Sequence, residues 1–267
     1  MFNVFWRTIK DKKWTILVYC LAVIIFLWMY IALFPSFQKA VGTLNQYLKS
    51  FPQSFLKAFG IEANSFTTFE GYISSEQYSF VWSILLIALV VSMANSFLAG
   101  ETEKGTIGIL LSQPISRIKI FLEKFSVGII NLILFVAASI LSVFPLAKAY
   151  NIVYKSEGFF KLALIGFMFG LAVFGLSMLF SAIFSEKSKV NFMIVGTLLV
   201  MYFINIIAGL KTSLDKLKYF SFFYYFKPPD ILVYNKISHW TLLVFLGTFF
   251  ITSALALIWF KKRDVAI

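Results

Sequence analysis

The chain has 267 residues, 60% of them hydrophobic, 19% aromatic and only 13% charged. That charged share is about half that of a soluble domain, and a water-soluble core cannot absorb so much apolar surface. The net charge of +12 would suit nucleic acid in a soluble protein, but here Lys and Arg cluster beside apolar runs, where anionic headgroups attract each basic residue by about 1 kcal/mol, so no nucleic-acid partner is expected.

Residues 1–13 place Phe2, Phe5, Trp6 and Ile9 on one helical face and Asn3, Arg7 and Lys10 on the other. This pattern predicts an amino-terminal interfacial helix lying flat on the membrane, with Trp6 and Arg7 as anchors. Residues 14–34 form an apolar run long enough to cross a hydrocarbon core of about 30 Å. The run is too long for a signal-peptide core, and the bulky Leu33-Phe34-Pro35-Ser36 that follows is no cleavage site, so it is read as a permanent span. A single cysteine, Cys20, lies inside it and excludes an internal disulfide.

Five further runs, at 79–99, 121–145, 162–184, 190–209 and 240–260, obey the same rule. The expected fold is an all-α integral membrane protein, a single transmembrane domain over 1–267 with six spans. Six is even, so both termini share a side. The cluster Arg7, Lys10, Lys12, Lys13 and the closing Lys261-Lys262-Arg263 place that side in the cytoplasm of a multi-pass cell-membrane protein.

The outer segments are 35–78 and 210–239. In the first, Val41, Leu44, Leu48 and Phe51, then Phe55 and Phe59, mark short amphipathic helices broken at Pro52 and Gly60. The second carries Tyr219, Phe220, Phe222, Phe223, Tyr224, Tyr225 and Phe226 ahead of Pro228-Pro229-Asp230. Such density fits an interfacial or re-entrant helix, or a simple aromatic belt. Gly166 and Gly170, with Gly175 beyond them, form a small-residue stripe that lets another helix approach closely.

Between spans two and three, residues 99–124 are polar and charged. Glu101, Glu103 and Lys104 are costly in hydrocarbon, so the chain leaves the bilayer near Gly100. Gly105 permits a turn, Thr106 is placed to cap, and Ile107, Leu110 and Leu111 recur at helical spacing until Pro114. The prediction is a short amphipathic helix of about two turns.

Catalytic machinery is missing from the sequence. The one histidine, His239, and the one cysteine supply neither a metal cluster nor a nucleophile and base pair. Gly100 and Gly105 have phosphate-loop spacing, but Thr106 stands where the lysine is required. The span interiors offer neutral polar groups, chiefly Asn95, Asn131, Asn191 and Asn205, which suit helix–helix hydrogen bonds better than ion coupling.

The run Glu101, Glu103, Gly105-Thr106, Leu110-Leu111-Ser112, Pro114-Ile115-Ser116-Arg117 and Lys124 resembles the first cytoplasmic loop of ATP-binding-cassette permeases of the type-2 exporter class, and Phe260, Arg263 and Asp264 resemble the way those chains end. That resemblance implies a short cytoplasmic coupling helix docking on a separate ATP-binding-cassette ATPase. It implies ATP hydrolysis in the partner, no cofactor in this chain, and pairing with a second copy or a related permease. Carried over, Glu101, Glu103, Gly105 and Thr106 form the turn and cap, Leu110 and Leu111 pack the helix, and Pro114 ends it. Arg117, Lys124 and Arg263 anchor the chain at the headgroups. Export of an amphipathic peptide, lipid-like molecule or drug is the leading expectation. A non-transporting immunity or scaffold subunit, and a secondary transporter, are the alternatives.

Overall fold

Inside a bilayer the backbone has no water to bond, so its polar groups must satisfy one another within the chain. The computed structural model describes residues 3–52, 67–112 and 114–263, and among the described residues every regular element is a helix. Helix α1 covers Asn3–Lys49 and α2 covers Phe69–Phe97. Two short helices follow, α3 (Ala99–Glu103) and α4 (Ile107–Leu111). Helix α5 (Arg117–Leu141) is prolonged by α6 (Val143–Ala149). Then come α7 (Ser156–Ile183) and α8 (Lys187–Leu210), a 3-10 stretch over Thr212–Phe220, the short α9 (Phe222–Tyr225) and α10 (Pro228–Leu232), and finally α11 (Thr241–Lys262). Six of these segments are long and apolar enough to cross a membrane, and they fall on the six predicted runs.

The boundaries differ from the sequence reading at the start of the chain. No break separates residues 1–13 from the first span, because α1 runs unbroken through Lys13 and Trp14. Pro35, with which the outer segment was expected to begin, lies inside α1. Proline removes one backbone bond, which a membrane helix tolerates where neighbouring packing compensates. Here Phe34 and Phe37 pack on the Tyr72 ring at 5.4 and 4.6 Å, and Phe34 meets Phe69 edge-on at 5.4 Å. The positions Phe55, Phe59, Gly60 and Asp264 lie outside the described residues.

Thr68 starts α2 by accepting the Gly71 amide at 3.2 Å. The stretch Ser74–Val81 then winds as a π-helix. Its wider turn suits serine side chains: Ser79 and Ser83 donate to the carbonyls of Ser74 and Tyr78, five residues back.

Helix α7 is the centre of the bundle. Two-thirds of its apolar window (67%) is buried, against 17% for α1 and α8, and it packs against α2, α5, α8 and most extensively α11. The glycine stripe makes this possible. A Cβ on Gly166 would stand 2.6 Å from the Trp82 ring, one on Gly170 2.7 Å from Leu132, and one on Gly175 2.5 Å from Thr252 of α11. The close approach predicted from Gly166 and Gly170 is therefore used within the chain. Trp82 is fixed further by its Nε1, which donates to Ser139 Oγ at 2.8 Å.

The aromatic segment folds back onto the bundle. Phe226 stacks between Trp82 (5.5 Å) and Phe169 (4.8 Å), and Pro228, Pro229, Ile231 and Leu232 are buried beside it. Instead of one aromatic helix there are three short pieces, which Ser221 and the Pro228-Pro229 pair interrupt.

Candidate functional site

The polar elbow is built at the end of the bundle that carries both termini. Helix α2 breaks at Leu98 (φ −122°, ψ −64°). The groups freed by the break find a partner in α7, where Ser181 Oγ donates to the Ala94 carbonyl at 2.6 Å and accepts the Ala99 amide at 3.1 Å. After α3, Gly105 takes a left-handed conformation (φ 70°) and its amide closes on the Thr102 carbonyl at 3.0 Å. Glycine adopts this region without a steric penalty.

Helix α4 has five residues, a little over one turn in place of the two predicted. Thr106 does not cap it. A cap needs extended backbone, whereas Thr106 is already helical (φ −76°, ψ −13°) and its hydroxyl donates to the Glu101 carboxylate. Leu110 packs with Val4 and Ile120 in a small apolar cluster joined by Leu111 and Ile115, which fixes the inner face of α4 to α1 and α5. Ile109 (64% exposed), Ser112 and Pro114 form the outward side with Lys104 and Gly105. The Glu103 side chain is exposed too, but it accepts the Lys187 amide at 2.8 Å and so ties the elbow to the start of α8.

Lys124, expected at the headgroups, is buried. Its Nζ donates to Glu101 Oε1 at 2.8 Å and to the Phe97 carbonyl at 2.9 Å. Burial pushes the Glu101 carboxyl up, but the Lys124 ammonium and the Thr106 hydroxyl outweigh that and hold it below its ordinary range. The adjacent Glu123 accepts the Phe5 amide through Oε2 at 3.0 Å, satisfying a free donor in the first turn of α1.

Arg117 and Arg263 also bond to protein. Arg117 Nη1 donates to the carbonyls of Phe260, Lys261 and Arg263 at the end of α11. Arg263 Nη1 donates to the carbonyls of Ala182 (2.7 Å) and Phe184 (3.3 Å), and its Nη2 donates to Ser185 Oγ. These carbonyls are the unfilled acceptors at the end of α7. Of the expected interfacial anchors, Trp6 (58% exposed) and Arg7 do face outward.

Beside the elbow a groove of about 820 Å³ runs between α2 and α8. Lys12, Lys104 and Lys187 line the end near the termini, and Phe80, Tyr202 and Phe223 the far end. Between them lie apolar walls and a row of serines. Asn95 Nδ2 crosses the gap to Asn191 Oδ1, a helix–helix hydrogen bond of the kind the sequence suggested. The groove itself was missed in the sequence. Part of its signal was there: Ser92 recurs with Asn95 and Ser96 at spacings of three and four residues on α2, which a reading of hydropathy averages away.

Comparison with known families matches residues 5–265 to a model described as ABC-2 family transporter protein. No curated protein matches the sequence.

Proposed function

Because this chain belongs to the ABC-2 transporter family, a family of membrane permeases of ATP-binding-cassette systems, we propose that it is the membrane subunit of an exporter. A separate ATPase binds and hydrolyses ATP, and this chain converts the resulting motion into movement of an amphipathic substrate. It works in the cell membrane with both termini in the cytoplasm, paired with a second copy or a related permease.

The observation that carries the reading is the two-sided elbow. Its inner face is fixed by the Val4–Leu110–Ile120 cluster and the Lys124–Glu101 pair, while Ile109, Ser112 and Pro114 are left on the outside. An element held this firmly to α1, α5 and α8 transmits a push received on its outer face. Within this reading Glu101, Gly105 and Thr106 shape the elbow, and Glu103 links it to α8. Leu110 and Leu111 seat it, Pro114 ends it and Arg117 ties it to the last span.

The test is Ile109→Glu and Ser112→Arg, two changes on exposed positions that leave the inner packing alone. Purified with a partner ATP-binding-cassette ATPase, each variant is expected to lose copurification and stimulated ATP hydrolysis while eluting as a folded protein. Unchanged copurification and hydrolysis in both variants would rule out the elbow as the docking element.

A further inference from the structure

We propose that the groove between α2 and α8 is a binding site for a single-chain amphiphile with a phosphate-type anionic headgroup, the headgroup held by Lys12, Lys104 and Lys187. The proposal rests on the permease reading above and narrows its substrate class.

Three observations carry it. The first is charge. Among the described residues no carboxylate lines the groove, while three lysines converge on one end of it. The Lys12 ammonium is disfavoured first by its own burial; Asp11 opposes that, and Lys124, Lys104 and Lys187 each add repulsion. Among the described residues none of the three lysines makes an ion pair. The nearby carboxylates are otherwise engaged: Glu103 accepts the Lys187 amide, Glu101 holds Lys124, and Asp11 faces Arg7 at 3.9 Å. Like charges gathered at the mouth of a low-dielectric cleft repel one another until an anion joins them.

The second is the way Lys187 is seated. A Cβ on Gly100 would meet Lys187 Cε at 2.6 Å and Nζ at 3.5 Å. Only the missing side chain at Gly100 lets the lysine lie across the elbow backbone, next to the groove. Lys187 is also the first residue of α8, whose dipole adds positive potential at the same end.

The third is shape. The groove follows α2 from Ser79 to Ser96, roughly 25 Å at the helical rise, close to the thickness of a hydrocarbon core. Its walls are apolar and open on one side: Ile84, Val195 and Leu199 are each about half exposed (51%, 45% and 49%). Cations at one end and an uncovered apolar channel leading away from them match an anionic head on a hydrocarbon tail. The volume of 820 Å³ lies within the range of small-molecule sites.

The test is binding of radiolabelled hexadecyl phosphate to the full-length permease in phosphatidylcholine nanodiscs, without ATPase. Hexadecyl phosphate is expected to bind at least tenfold more tightly than hexadecylphosphocholine, whose headgroup carries a compensating cation. The triple variant Lys12→Gln, Lys104→Gln, Lys187→Gln is expected to lose about a thousandfold, since each charge-assisted contact is worth about tenfold or more. Ser92→Phe, which keeps the lysines but fills the channel, is expected to lose binding too. Equal affinity for the two amphiphiles, or unchanged binding in the triple variant, overturns the proposal. Competition by inorganic phosphate as strong as by hexadecyl phosphate also overturns it, by showing a free-anion site. Rapid disulfide formation between copies carrying Ser92→Cys, unaffected by hexadecyl phosphate, overturns it by placing a second copy in the groove. Failure of docking is separable: Ile109→Glu is expected to bind hexadecyl phosphate as the wild type does.

Discussion

Lys124 Nζ lies 2.8 Å from Glu101 Oε1, and the lysine side chain is only 4% exposed against 26% for its partner. The pair joins the third span to the elbow across 23 residues of sequence. Its two ends are not equivalent. Glu101→Gln leaves a buried ammonium with neutral acceptors only and no counter-charge, whereas Lys124→Met leaves a carboxylate that water and the Thr106 hydroxyl still reach. Breaking a buried pair from one side costs about 3–5 kcal/mol. Thermal unfolding in detergent is expected to place Glu101→Gln below Lys124→Met, with the double variant recovering much of the loss. A double variant whose loss equals the sum of the two single losses would show that the two side chains act independently.

Acid is expected to weaken the same contact. The folded-state pKa of Glu101 lies below its ordinary value, since Lys124 and Thr106 outweigh the upward push of burial. A depressed carboxylate contributes stability that is fully present above its unfolded pKa of about 4.3 and is lost as pH falls through the lower folded value. From about pH 6 down to about pH 3.5, the Tm of the wild type is therefore expected to fall more steeply than that of Glu101→Gln, whose amide does not titrate. Parallel curves would remove Glu101 from the acid response.

This pair also marks what the sequence could tell and what it could not. The six spans were legible because length and the cost of charge in hydrocarbon are properties of contiguous residues. The turn at Gly105 was legible because one residue type suits it. Lys124 was misplaced at the headgroups because a charge near the end of a span reads the same whether it faces lipid or a carboxylate 23 positions away. The first span was ended at residue 34 because the apolar run is local, while the Phe34, Phe37 and Tyr72 contacts that accompany the helix past Pro35 are not. The density of aromatics in 219–226 was visible, but not that Phe226 alone enters the stack between Trp82 and Phe169.

The glycines of α7 separate packing from propensity. Gly166→Ala places a methyl 2.6 Å from the Trp82 ring. That ring is held by Ser139 and stacked on Phe226, so it cannot swing aside. Overpacking of this kind costs about 1–3 kcal/mol. Gly196→Ala in α8 and Gly247→Ala in α11 meet nothing within 4 Å, and a helical glycine replaced by alanine gains up to about 1 kcal/mol. Melting is expected to move down for Gly166→Ala and level or upward for the other two. A loss at all three would mean that the outer faces of α8 and α11 are covered by another molecule.

Gly105 offers a cleaner test of backbone alone. A Cβ there has open space around it, so any cost of substitution comes from its φ of 70°. Asparagine tolerates this region better than alanine, and proline cannot enter it. The expected order of retained stability and ATPase stimulation is Gly, Asn, Ala, Pro, with alanine costing about 1–2 kcal/mol. Full activity of Gly105→Pro would show that the elbow reaches its working form without this turn.

Arg263 allows the headgroup and protein roles to be told apart. If it served as an interfacial anchor, lysine would replace it, since both carry one charge to the same depth. The guanidinium instead bonds the Ala182 and Phe184 carbonyls and Ser185 Oγ together, closing the end of α7, while its own carbonyl receives Arg117. A lysine ammonium is a point charge that lacks the planar fork needed to reach all three acceptors. In detergent free of anionic lipid, Arg263→Ala is expected to lose about 1–2 kcal/mol, the cost of leaving part-buried acceptors unfilled, and Arg263→Lys to recover less than half of it. A lysine variant with the melting temperature of the wild type would mean that charge alone suffices at this position, and that the bonds to α7 add nothing to the fold.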